Sequence, residues 1–148
     1  MDTSWEWIPE TPASWDDRKA RVLAGLDPAL FGLGRPRRGD ALGDEWWRVE
    51  DGSGATVAYG RLDESWGDAE ILVLVEPGAQ RSGVGSFVLD RLEAEAGHRR
   101  LNYIYNVVPD QHPDPEQVTG WLGAHGFVGN DVGELRKQVP SGAVRHGG

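Results

Sequence analysis

The sequence has no cysteine in 148 residues, which excludes a disulfide framework and a thiolate zinc site. Its four histidines are scattered without metal-ligand spacing, so no metal is expected. No apolar run approaches the ~20 residues that cross a bilayer. The opening MDTSWEWIPE has neither the basic nor the apolar region of a secretory signal, so a soluble, cytoplasmic chain is expected. Positive charge is also scarce: 15 Lys and Arg stand against 24 Asp and Glu, a formal charge of −9. Such an excess repels a polyphosphate backbone and an anionic membrane surface, so neither nucleic acid nor membrane is an expected partner. What the chain does hold is 21 Gly, 9 Pro and 7 Trp, short of the disordered range and rich in bulky core formers. Its length suits one domain with a real core.

Residues 1–15 carry Trp5, Trp7, Ile8 and Trp15 among Pro9 and Pro12. They are too apolar for a free tail and too interrupted by proline for a helix, and read as an arm packed on a domain of residues 16–140. These tryptophans suit either the core or a dimer contact, which leaves monomer and homodimer open. Ser14, with Asp17 three residues later, reads as the cap of a first helix ending before Asp27-Pro28. A short helix over 28–33 closed by Gly34 follows, then a loop holding Arg35, Arg37 and Arg38. Glu45 to Glu50 and Ala55 to Leu62, joined by Asp51-Gly52-Ser53-Gly54, predict a hairpin. The continuous run Ile71-Leu72-Val73-Leu74-Val75 predicts a strand buried on both faces. An amphipathic helix from Val84 stops at Gly97, a strand covers 101–108, and a helix starting near Pro113 to Glu116 ends at Gly126 before Phe127. Glu134 to Val139 is the last strand, and 141–148 a flexible tail. This order suggests an α+β fold with a mixed sheet.

The chemistry centres on Val75-Glu-Pro-Gly-Ala-Gln-Arg-Ser-Gly-Val-Gly-Ser86, between a buried strand and a helix. Gly83 and Gly85 let backbone approach a ligand, the first helical amides point outward unpaired, and Arg81 adds charge: together, an anion pocket. Neither common nucleotide loop fits. No Gly-Lys-Ser/Thr follows, and Gly-x-Gly-x-x-Gly fails at Gln80 when started from Gly78 and at Val88 when started from Gly83.

The segment instead closely resembles the acyl-CoA-binding motif of the GNAT N-acetyltransferase superfamily, Gln/Arg-x-x-Gly-x-Gly/Ala after a strand ending in Val-x-Pro. Gln80, Gly83 and Gly85 match it. The order of elements from about Trp46 to Val139, with Gly126-Phe127 near the end, is similar as well. The resemblance implies a mostly antiparallel mixed sheet flanked by helices, with splayed strands forming the acyl-CoA site. It implies that Gln80, Arg81, Ser82, Gly83, Val84, Gly85 and Ser86 hold the pyrophosphate of acetyl-CoA or another acyl-CoA, and that backbone near Val73 and Val75 pairs with the pantetheine. The expected activity is transfer of an acetyl group to a primary amine of a small molecule or peptide by direct attack in a ternary complex. The alternative is a catalytically degenerate acyl-CoA-binding sensor or interaction protein.

That alternative rests on departures from the family pattern. The usual tyrosine acid falls at Leu122, the usual asparagine falls at about Pro115, and 111–115 reads as an insertion containing His112. Tyr105, with Tyr103 on the same strand face, is either a substitute acid or a cross-strand aromatic. Glu70 is either the base that takes the amine proton or a solvated strand-end carboxylate. His98 and His125 sit at helix ends and favour the dipole there. Trp46 and Phe31 lie in the region that builds the family's acceptor site and are candidates for its wall. The Arg35 to Arg38 cluster reads as a solvated loop.

Overall fold

The structure, a computed structural model, describes residues 4–24, 26–108, 114–130 and 134–140. Among these are strands β1 (Glu6–Glu10), β2 (Glu45–Glu50), β3 (Thr56–Ser65), β4 (Asp68–Val75), β5 (Tyr103–Val107), β6 (Val128–Gly129) and β7 (Glu134–Gln138). The helices are α1 (Asp17–Leu23), α2 (Val84–His98) and α3 (Pro115–Ala124). The strand order is β1-β2-β3-β4-β5-β7-β6, mixed and mostly antiparallel, the α+β architecture expected. No described helix is long and apolar enough to cross a membrane. The chain divides into two compact units, Met1–Leu62 with Leu72–Leu92, and Asp63–Ile71 with Glu93–Gly148.

In the first unit β1, β2 and β3 form an antiparallel meander. The arm expected at 1–15 is therefore a sheet strand over Glu6–Glu10. Pro9 is tolerated because β1 is an edge, where a missing N–H costs no ladder bond on the open side. The cap of α1 is Asp16, whose Oδ1 accepts from Lys19 N at 2.9 Å, and not Ser14, which lies in a bridge with Ala41. Two good capping residues stand two positions apart, and the bridge takes the first out of contention. The short helix after Pro28 is a single 3₁₀ turn, Pro28–Phe31, ended by Gly32 at φ +75° and not by Gly34. The hairpin of β2 and β3 forms as expected, with a register shift between Val49 and Glu50.

Strand alternation in β2 sends Trp46 to one face and Trp47 to the other. Trp46 joins Trp15, Val22, Leu23, Tyr59, Leu72 and Leu74 in one cluster. On the opposite face Trp47 stacks on Trp7 with ring centroids 5.3 Å apart, worth about 0.5–1.5 kcal/mol beyond the area it buries. Gly60 permits the packing there: a Cβ would lie 2.9 Å from both Trp7 Cη2 and Val88 Cγ1. In β4, Ile71, Leu72 and Leu74 are buried but Val73 and Val75 only half-buried, so one face of the strand end is more open than its unbroken apolar run suggests.

Tyr59 is fully buried, edge-on to Trp46 at 6.0 Å, and its hydroxyl has no hydrogen-bond partner among the described residues. An orphaned buried hydroxyl costs about 1–3 kcal/mol. Tyr59→Phe is therefore expected to raise the melting temperature by a few degrees; a lower one would mean the hydroxyl is satisfied. Burial first, then the charges of Asp16 and Glu10, hold the phenol's pKa above its ordinary value of 10.0. The unfolded chain thus ionises first: stability from this group is complete below pH 10.0 and drains away as pH climbs toward the raised folded value. In Tyr59→Phe that component of the alkaline loss should vanish.

In the second unit the start of β4 pairs in parallel with β5, and β5, β7 and β6 continue antiparallel. Leu101, Ile104, Leu122, Phe127, Leu135 and Val139 are buried here. Asp114 caps α3 through Gln117 N, and Gly126 ends the helical region at φ +94°. The β3–β4 turn sets Trp66 at φ +55° and Gly67 at φ +84°, the left-handed pair of a type I′ turn, with Trp66 99% exposed. The two-residue β6 has no clear signal in the sequence. The expected tail at 141–148 lies outside the described residues, as does most of the expected insertion, including His112.

Candidate functional site

Beyond β4 the chain makes a 3₁₀ turn, Pro77–Ala79, and then the glycine loop. Glu76 N donates to Val57 O at 2.9 Å, fixing where the loop leaves the sheet. Gln80 is extended, Arg81 is left-handed at φ +67°, and Gly83 is left-handed at φ +92°. Ser82 ties the loop to its own start: its N and Oγ both reach Ala79 O, at 3.3 and 2.5 Å, and its Oγ accepts from Val84 N at 3.4 Å. Phe87 N donates to Gly83 O at 3.1 Å, which makes Gly83 the residue that opens α2. Gly85 and Ser86 follow in its first turn, where amides have no intrahelical acceptor and point out of the helix end. Reversed backbone followed by a helix start is an anion-binding concavity.

The charges around the loop suit an anion. Arg81 is exposed and makes no ion pair among the described residues. The nearby Glu76 carboxylate is held by Arg21, which also donates to Thr56 O at 3.0 Å. The side chain of Val84 is buried, so this residue offers only its amide. These features fit the diphosphate of an acyl-CoA: backbone donors, room at Gly83 and a free cation.

Polar residues gather separately where β4 and β5 run in parallel. Asp68 pairs with Tyr103 and Glu70 with Tyr105, so all four share one face. Opposite Tyr105 on β7 stands Arg136, its guanidinium 5.0 Å from the Tyr103 ring and 5.9 Å from that of Tyr105. Arg136 also pairs with Glu134 at 3.3 Å and Asp68 at 4.0 Å. Burial, followed by the negative charges of Glu70, Asp63, Glu134 and Asp68, raises the Tyr105 pKa and keeps its phenol protonated. Immediately after the last rung, Asn106 Nδ2 donates to Ile71 O at 2.7 Å, replacing a backbone partner with a side chain. No group of three or more potential metal ligands occurs among the described residues.

Trp46 is 1% exposed inside the core cluster and cannot line an open acceptor site, and Phe31 packs on that same cluster. Both were read from chain order, which does not say which strand face is covered by α1. Leu122, where the family's tyrosine would stand, is buried. His125 is the C-cap of α3 and meets Trp121 edge-on at 4.9 Å. Arg38 pairs with Asp17 at the start of α1, and Arg37 N donates to Asp40 within the loop. Sequence reasoning missed Asn106 and Lys19. No local pattern marks the first, and the second has the ordinary look of a helix-surface lysine.

Comparison with known proteins gives the family to which this fold belongs. The acetyltransferase (GNAT) family matches residues 3–114, and the chain belongs to that family. A mycothiol acetyltransferase of Geodermatophilus obscurus is 48% identical over 50 residues, which cover 32% of this chain and only 16% of that protein. A Klebsiella pneumoniae chain assigned to the acyl-CoA N-acyltransferases superposes with a TM-score of 0.68 at 16% identity, covering 93% of this chain and 99% of that one. The PaiA N-acetyltransferase of Thermoplasma acidophilum, solved in complex with coenzyme A, aligns with a TM-score of 0.54 at 12% identity over 63% of this chain and 59% of its own.

Proposed function

We propose that this chain transfers an acetyl or other acyl group from acyl-CoA to a primary amine of a small molecule or peptide, by direct attack in a ternary complex. The observation that carries the reading is the loop in which left-handed Arg81 and Gly83 lead into the outward-pointing amides of α2. In this reading the Arg81 guanidinium and backbone amides at the start of α2 hold the diphosphate, with Gln80 and Ser82 shaping the loop. Backbone of Val73 and Val75 pairs with the pantetheine, whose thioester is the acyl donor. Glu70 takes a proton from the attacking amine as the nitrogen–carbonyl bond forms and the carbon–sulfur bond breaks. Tyr105 gives its phenolic proton to the departing sulfur, and its raised pKa keeps that proton in place at neutral pH.

The test is CoA release from acetyl-CoA across a panel of primary amines. Glu70→Gln and Tyr105→Phe are each expected to lower kcat by about 10²- to 10⁴-fold with little change in acetyl-CoA affinity. The raised pKa also places the alkaline limb of the wild-type profile above pH 10.0, and Tyr105→Phe should remove it. Unchanged kcat in both variants would take these residues out of the chemistry.

The buried Leu122 at the family's tyrosine position favours a second reading, an acyl-CoA-binding protein without turnover. Tight CoA binding with background release across the whole amine panel would select it.

A further inference from the structure

The N-terminal arm brings an aromatic side chain to the glycine loop. Trp5, just before β1, is half-buried, and its Cη2 lies 3.6 Å from where a Cβ on Gly83 would stand. The ring is anchored by Phe87, one turn into α2, with centroids 5.4 Å apart and planes at 52°. Phe87 is held from a second side by Trp7, edge-on at 6.3 Å. One turn further on, Arg91 sets its guanidinium 5.3 Å from the Phe87 ring centroid; it is exposed and has no ion-pair partner among the described residues. Gly83, Trp5, Phe87 and Arg91 thus form a chain of contacts that starts at the proposed phosphate site, two residues from Arg81, with aromatic surface in the middle and the Arg91 cation at its far end.

The two tryptophans of the arm have different neighbours. Trp7, two residues later, fills the gap above Gly60 and stacks on Trp47. Trp5, half-buried like Trp7, lies instead beside the left-handed backbone of Gly83. A planar ring next to a diphosphate, followed by a free guanidinium, matches the chemistry of an adenosine 3′-phosphate. The base stacks on the indole, and the phosphate meets the cation.

We propose that Trp5, Phe87 and Arg91 form the subsite for the adenosine 3′-phosphate half of acyl-CoA, an inference that rests on the acyl-CoA reading above. Trp5 supplies the stacking surface, Phe87 fixes its tilt, and Arg91 faces the 3′-phosphate. The arm therefore contributes donor recognition as well as a sheet edge.

Calorimetric titration of the full chain with CoA, 3′-dephospho-CoA and 4′-phosphopantetheine tests this. Trp5→Ala is expected to weaken CoA by about tenfold or more while leaving 4′-phosphopantetheine within about twofold, since only the former carries the base. Arg91→Gln should weaken CoA and leave 3′-dephospho-CoA unchanged. If Trp5→Ala does not fold, Trp5→Leu keeps an apolar wall without a stacking face and should show the same selectivity. Equal loss of both ligands in the Trp5 variant would mean that the ring merely props the loop, and would overturn the proposal. So would an unchanged ratio of CoA to 3′-dephospho-CoA in Arg91→Gln. Wild-type protein that binds CoA and 4′-phosphopantetheine equally well overturns the subsite but leaves the acyl-CoA reading standing. Protein that binds neither overturns both.

Discussion

Lys19→Met should destabilise the fold by about 3–5 kcal/mol, a large part of the roughly 5–15 kcal/mol that a domain of this kind has. The Lys19 side chain is 0% exposed, and its ammonium has three acceptors for its three protons: Glu10 Oε1 at 2.6 Å, Ser14 O at 2.9 Å and Asp16 Oδ2 at 3.3 Å. It also lies 4.7 Å from the Tyr59 ring centroid and 5.4 Å from that of Trp46. The interaction joins α1 to β1 and to the segment between them. Methionine preserves the length of the side chain and removes the charge. Glu10, whose side chain is 9% exposed, then keeps, among the described residues, Arg48 at 3.6 Å as a counter-charge. Most of the cost is that stranded carboxylate. The double variant Lys19→Met, Glu10→Met should accordingly recover much of the loss. Urea titration reads both, as a lower midpoint at constant slope for the single variant and partial recovery for the double. A single variant as stable as the wild type would mean that the buried pair is not formed.

Gly83→Asp is expected to lower acetyl-CoA affinity by about a hundredfold or more while the protein still folds. Two effects act together. At φ +92° any L side chain is strained, by about 1–2 kcal/mol, and this shifts the loop. The added carboxylate then places a negative charge at the proposed diphosphate site, opposing the field of the helix end. Volume is not the obstacle, since the nearest atom to the new Cβ is Trp5 Cη2 at an ordinary contact distance of 3.6 Å. Gly83→Ala separates the terms: it carries the strain without the charge and should fall between wild type and Gly83→Asp. Titration calorimetry with acetyl-CoA measures all three, and equal affinities would remove the glycine loop from donor binding.

The loop was legible in the sequence because its backbone demands are residue demands. A left-handed conformation beside a helix start calls for glycine, and Gly83 stands there, with Gly85 following inside α2. Arg81, also left-handed, shows the limit of that logic, because a non-glycine residue at positive φ leaves no trace in the sequence. The β2–β3 hairpin was legible from Asp51-Gly52, and α3 from Pro115 at its first turn and Gly126 past its end. Strand β1 was hidden by Pro9, which speaks against a central strand and says nothing against an edge. The pairing of Lys19 with Glu10 joins segments whose approach depends on how β1 lies beside β2, and no local pattern encodes that. The same is true of Trp5 and Gly83. Trp46 was misplaced for a related reason: alternation along β2 separates its two tryptophans between faces, but only tertiary packing decides which face α1 covers.

The central claim is that the glycine loop binds an acyl-CoA, and the most direct test is the melting temperature of the wild-type chain with and without acetyl-CoA and CoA. At a ligand concentration of ~100 Kd the stabilisation is about 2.7 kcal/mol, which moves a domain of this size by roughly 5–10 °C. The account predicts an upward shift of that order with both ligands. No shift with either, at millimolar ligand, would contradict it.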